Sequence, residues 1–287
     1  MLGITEAAPS PDLNPVVDVQ LLLHYTFMQH AFEAGAIVAL TAGVIGYFVL
    51  MRNSSFAAHA LSHIGFAGAT GAVVVGVSPV AGLLAFTVAA AGVMGALGNR
   101  LRGRDVTIGI VLAWTLGLGV LFLSLYTGYA TEAYALLFGE ILGISDRDVL
   151  ITLVAGVVTL AALVVIYRPL LFASVDEDVA AARGVPVGAL SIVFMVILAV
   201  AVSEAVQVVG VLLIFALIVT PAAIAERFTT RPGRTLMLSA GLALLFTWSG
   251  LAISFFTPYP VSFFITSIAF GAYVLARLVT RPRRHRA

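Results

Sequence analysis

The sequence predicts an all-α integral membrane protein, a bundle of about nine transmembrane helices with the N-terminus outside and the C-terminus in the cytoplasm. Three observations carry this. Of 287 residues, 61% are hydrophobic and only 10% charged, with a mean hydropathy of +1.10; a soluble domain carries about 25% charged residues. The apolar residues fall into runs of roughly 20, the length a helix needs to cross a bilayer core. The basic residues, all 15 of them arginine, collect at alternate joins between those runs.

Taken in order, the expected spans are 25–51, 55–77, 79–99, 105–127, 147–168, 187–203, 206–226, 234–256 and 259–280. The sixth is short, and only Ser203, Glu204 and Ala205 separate it from the seventh. That pair reads either as two helices in a tight hairpin or as one broken helix. Proline and glycine punctuate the joins at Pro79, Pro169, Pro186, Pro232-Gly233, Pro258 and Pro260. With nine spans, Arg52, Arg100, Arg102, Arg104, Arg168, Arg183, Arg227, Arg231, Arg234, Arg277 and the terminal Arg281, Arg283, Arg284 and Arg286 share one side, leaving Arg147 on the other. Arginine accumulates on the cytoplasmic side of membrane proteins, which sets the orientation. The opposite side carries Glu6, Asp12, Asp18, Glu132, Glu140, Asp146, Asp148 and Glu204. These are acids that tolerate translocation, or a vestibule that concentrates cations.

Residues 1–24 then form an external tail, 25–280 the transmembrane domain and 281–287 a basic cytoplasmic tail. The first twenty residues hold three acids and no basic n-region, unlike a cleaved signal. Without lysine there is no Walker A loop, so the chain cannot hydrolyse ATP by a standard P-loop. Without cysteine there is neither a disulfide nor a thiolate metal site. No stretch between spans is long enough for a soluble domain. The expectation is therefore a non-enzymatic transport subunit without a resident cofactor or nucleic-acid partner, energised by other chains or by an ion gradient.

Chemistry concentrates in a few places. In the second span His59 and His63 are four residues apart and so share one helix face. Ionisable groups inside a span are costly and face a cavity or path, and paired imidazoles suit a transition metal. Packed histidines bonded to carbonyls are the plainer alternative. The small residues that follow, Gly65 to Gly71, suit an interior helix. His30 and Glu33 share a face near the outer end of the first span, as a metal or proton site or an interfacial polar cluster, and Glu204 at the outer turn between spans six and seven is a similar candidate. On the cytoplasmic side, Ser174 is placed to cap a short helix with Asp176, Glu177 and Asp178 in its first turn and Arg183, Gly184 and Pro186 at its end. It is a solvated loop helix or a docking helix for a cytoplasmic partner. Pro221 is expected to kink the seventh span.

Several segments together resemble the ABC-3 family of metal permeases: GVIGYFVLMRNSSF closing the first span, ALSHIGFAGATGA, LLFGEILGIS at 136–145, Asp176 through Gly184, and VQVVGVLLIFALIVTPAAIA at 206–225. The resemblance spans about residues 25–280. It implies a type II importer fold like that of the vitamin B12 permease, in the bacterial cytoplasmic membrane. It also implies a permease homodimer, a cytoplasmic P-loop ATPase pair docked on Asp176–Gly184, and an external solute-binding protein that delivers metal. His63 matches the histidine of the family's Asp-x-x-x-His, whereas His59 stands where the family has aspartate. Imidazole in place of a carboxylate favours zinc over manganese, so zinc is the expected cargo and manganese or iron the alternative. A siderophore or cobalamin permease, which has no use for an imidazole pair, and a proton-coupled metal transporter are further readings.

Overall fold

The computed structural model describes residues 20–22, 24–97, 104–125 and 143–280. Glu6, Asp12, Asp18, Arg100, Arg102, Glu132, Glu140, most of the 136–145 motif and the tails therefore lie outside the described residues. Ten helices are numbered here: α1 (Thr26–Met51), α2 (Ser55–Val74), α3 (Pro79–Leu97), α4 (Arg104–Leu125), α5 (Asp146–Val175), α6 (Glu177–Ala182), α7 (Val187–Val209), α8 (Val211–Phe228), α9 (Pro232–Phe255) and α10 (Val261–Val279). Seven of them (α1, α3, α4, α5, α7, α9 and α10) are long and apolar enough to cross a membrane. α2, which gives much of its length to histidine, serine, threonine and glycine, is not in that set.

Among the seven membrane-length helices, two are mostly buried. About 67% of the apolar stretch of α1 and 72% of that of α7 is buried, against 17% for α4 and 22% for α5 and α10. The outward faces are apolar: Val165 is 81% exposed, Leu278 77% and Trp114 64%, as expected of side chains that meet lipid rather than water. Many hydroxyls inside the bundle turn back on their own helices. Ser62 donates to the Ala58 carbonyl, Thr115 to that of Val111 and Thr247 to that of Ala243, which satisfies them without water.

Association in lipid relies on close backbone approach rather than on the hydrophobic effect, and the small residues are placed accordingly. Gly43 of α1 lies against the backbone of Ala240 in α9, where Ser239 Oγ donates to the Gly43 carbonyl at 2.6 Å. Gly46 of α1 faces the Ile218 carbonyl of α8, and Gly68 of α2 meets Gly82 of α3. Thr87 of α3 and Ser203 of α7 share a hydrogen bond of 2.5 Å.

Three boundaries differ from the sequence reading. The fifth span does not stop at 168: α5 runs on through Pro169 to Val175, 30 residues or about 45 Å. Its last turn holds Ser174, whose hydroxyl donates to Leu170, so Ser174 is not a cap. Asp176 caps α6 instead, accepting the Val179 N–H at 2.9 Å. Finally, Ser203–Ala205 are not a turn but part of α7, and the break falls at Gly210, with φ +81° and ψ 162°. Only glycine adopts that conformation readily. Val208, Val209 and Val211 around the break are all 3% exposed or less, so the α7–α8 join is buried within the bundle.

Candidate metal path

The second helix is almost fully enclosed, with one opening. From Ala57 to Ala72 every residue is buried except His59, His63 and Gly71. The small residues that let α3 and α4 close on α2 exclude solvent from the other faces, and the i, i+4 spacing lines the two histidines along the part that stays open. Their ring centroids are 4.7 Å apart at an interplanar angle of 77°. His59 also lies edge-on to Phe215 of α8, at 5.0 Å. Among the described residues neither imidazole has a hydrogen-bond partner, which sets them apart from the packed, carbonyl-bonded pair the sequence also allowed.

On α8, Phe215, Val219 and Ala223 are partly open at successive turns, and the contact of His59 with this helix is the apolar ring of Phe215. Two neutral imidazoles one turn apart can bind one transition-metal ion together. They cannot complete its coordination, and among the described residues no group of three or more histidine, aspartate or glutamate side chains converges. The remaining ligands must come from outside the described residues or from water. Phe215 was not singled out in the sequence, because nothing in α8 marks which of its apolar residues faces α2.

The other candidates are placed apart. His30 is fully engaged: Nδ1 lies 3.0 Å from the Ile144 carbonyl and Nε2 2.8 Å from Asp146 Oδ1. Neither ring nitrogen is left for a metal in this arrangement; the residue ties α1 to the start of α5. That start is itself fixed by a capping box, with Ser145 and Asp148 bonded reciprocally. Glu33 is exposed and does not join His30 in a site. Glu204 is 7% exposed within α7, in a cavity lined by α1, α7 and α8 and by no residue of α2. It therefore lies neither at an outer turn nor beside the histidines.

At the end of α5 that the arginine distribution is expected to place on the cytoplasmic side, Asp176, Asp178, Arg183 and Gly184 are exposed and Glu177 partly so. Ala180 is fully buried, and Gly184 turns the chain at φ +85°. The result is a short acidic helix anchored by one apolar contact, its charged side presented outward.

The manganese transport system membrane protein MntC of Halalkalibacterium halodurans is 31% identical over 234 residues, covering 81% of this chain and 80% of that protein. The manganese import system permease protein ScaB of Streptococcus parasanguinis is 30% identical, covering 82% and 84%. Among solved structures, PsaBC from Streptococcus pneumoniae, in complex with a Fab, superposes with a TM-score of 0.83 at 27% identity, covering 94% of this chain and 98% of that one. An inward-facing structure described as a metal-chelate type ABC transporter shares the fold, with a TM-score of 0.68 at 17% identity. The model of the ABC 3 transport family matches residues 24–280, so the chain belongs to that family and is a multi-pass metal ABC transporter permease of the cell membrane.

Proposed function

We propose that this chain is the membrane-spanning subunit of an importer for a divalent transition metal, with manganese as the cargo. The zinc expectation drew on His59 standing in place of an aspartate, but the relatives are named for manganese, and the alternative reading fits them better. The observation that carries the site is the opening of α2: His59 and His63, with Gly71 the sole other open residue of the described stretch 57–72, have hydrogen-bonding capacity unspent. Two copies of the chain would supply two such pairs to one path. A site of so few protein ligands holds a labile cation such as manganese loosely enough to release it. Cytoplasmic ATPase subunits would dock on the acidic face of α6, and an external binding protein would load the outer mouth, with the N-terminus outside.

The test is uptake of radiolabelled manganese and zinc into proteoliposomes holding the permease with its ATPase. Manganese uptake that needs ATP, and is lost in the double variant His59→Ala, His63→Ala, is the expected result. ATP-driven uptake that survives the double variant would remove the histidines from the path. Zinc transported in preference to manganese would restore the imidazole argument, and uptake driven by a proton gradient alone would replace the importer by a secondary transporter.

A further inference from the structure

Charge is unevenly spread over the last three helices. Between Val211 and Thr280 the chain carries Arg227, Arg231, Arg234 and Arg277 but a single acid, Glu226. All of these lie at the end of the bundle where α8 and α10 finish and α9 begins. Two side-chain hydrogen bonds tie that end together: Thr235 of α9 donates to the Thr229 carbonyl just past α8, and Arg227 of α8 donates to the Thr280 hydroxyl just past α10. Arg231, Arg234 and Arg277 are exposed and Arg227 is half-buried.

Arg227 is the fixed point of the group. Its guanidinium carbon lies 5.5 Å from the centre of the Tyr273 ring, a cation–π contact. Its Nη1 donates to Thr280 Oγ1 at 3.5 Å, and the Thr280 hydroxyl in turn donates to the Ala276 carbonyl. Tyr273 and Thr280 flank Arg277 along the chain, each about one helical turn away, so the two arginines are neighbours. A guanidinium has five N–H donors, and one long hydrogen bond leaves most of them unspent. Among the described residues no carboxylate pairs with any of the four arginines. Glu226 is directed towards α1 instead, where its charge acts on Tyr47.

We propose that this cluster binds the headgroup of an anionic phospholipid, with Arg227 and Arg277 clamping the phosphate and the acyl chains lying along the outer face of α10. A phosphodiester offers the paired oxygens that fit the guanidinium fork, and basic groups at the ends of membrane helices stand at the level of the lipid phosphates. The neighbouring side chains suit the rest of the lipid: Leu275, Leu278 and Phe228 are apolar and exposed. A docked protein fits less well. The helix expected to receive the ATPase, α6, packs on α5 and α7, and a partner at Arg277 would have to displace lipid from Leu275 and Leu278. Arginines that only fix orientation are interchangeable, whereas a guanidinium held against a ring and a hydroxyl defines a place.

This assignment does not depend on which metal the protein carries. Native mass spectrometry of the full-length chain released from detergent, titrated with phosphatidylglycerol or with zwitterionic phosphatidylcholine, tests it. Phosphatidylglycerol is expected to bind about tenfold the more tightly. Arg277→Gln, at an exposed position, is expected to weaken that binding about fivefold, and adding Arg227→Gln about fivefold more. Arg168→Gln on α5, also exposed, is expected to leave it unchanged. Arg277→Gln decides alone should the double variant fail to fold. Equal binding of the two lipids overturns the proposal, as does an equal loss in Arg168→Gln and Arg277→Gln, which would make the arginines a diffuse field. Displacement of the lipid by millimolar inorganic phosphate would leave a free-anion site, and displacement by the ATPase subunits would assign the cluster to a protein contact; each of these also overturns it.

Discussion

Replacing Gly46 by alanine tests whether α1 and α8 are held together by backbone contact. A β-carbon at Gly46 would collide with the Ile218 carbonyl oxygen, and would lie 2.9 Å from its carbonyl carbon and 3.3 Å from Ala222 Cβ. The first two are backbone atoms of a helix and cannot rotate away. To reach ordinary contact the helices must part by on the order of 1 Å. Overpacking of this kind costs about 1–3 kcal/mol, and a backbone obstacle belongs at the upper end. Alanine regains up to about 1 kcal/mol over glycine in a helix interior, leaving a net loss of about 1–2 kcal/mol. Gly241 in α9 is the control, since a β-carbon there meets nothing within 4 Å; Gly241→Ala keeps only the propensity gain, about 0.5–1 kcal/mol. Thermal unfolding of both variants in one detergent, followed by the loss of the monodisperse peak, measures the difference. If Gly46→Ala unfolds with or above the wild type, the close approach of α1 to α8 is wrong. If Gly241→Ala is the less stable of the two, the use of β-carbon clearance as the criterion is wrong.

Two other substitutions probe the corrected boundaries. Gly210→Ala forces a side chain onto a backbone at φ +81° and is expected to destabilise by about 1–3 kcal/mol, visible as a lowered unfolding temperature; no change would mean that the α7–α8 break lies elsewhere. Asp176→Ala removes the cap that accepts the Val179 N–H, a loss of about 1 kcal/mol, so amide exchange in α6 should quicken about fivefold, whereas Ser174→Ala should leave it unchanged.

The helix bounds show which features can be read locally. The turn at Gly184 and the acidic first turn of α6 were legible, because each depends on residues within one helical turn. Choosing Ser174 rather than Asp176 as the cap failed because both are competent caps. What separates them is that α5 continues past Pro169, with Ser174 bonded back to Leu170. Reading Ser203–Ala205 as a turn failed for a related reason. A polar triplet between apolar runs reads as a surface turn, yet Ser203 bonds to Thr87 of α3 and Glu204 faces a cavity, so both side chains lie inside the bundle. The actual break is made by Gly210, a residue indistinguishable in sequence from the glycines that only serve packing.

Membrane residence and the placing of His59 and His63 on one helix face follow from sequence alone, since hydropathy, charge placement and i, i+4 spacing are properties of a single helix in lipid. The rest depended on which helix stands beside which. Tertiary packing opened α2 along its histidine stripe, set Phe215 of α8 against His59, and spent His30 on Ile144 and Asp146. It also enclosed Glu204 among apolar side chains. None of these is a property of one segment, because burial and partnership arise only where two helices meet, and small residues permit a close approach without specifying which neighbour will make it.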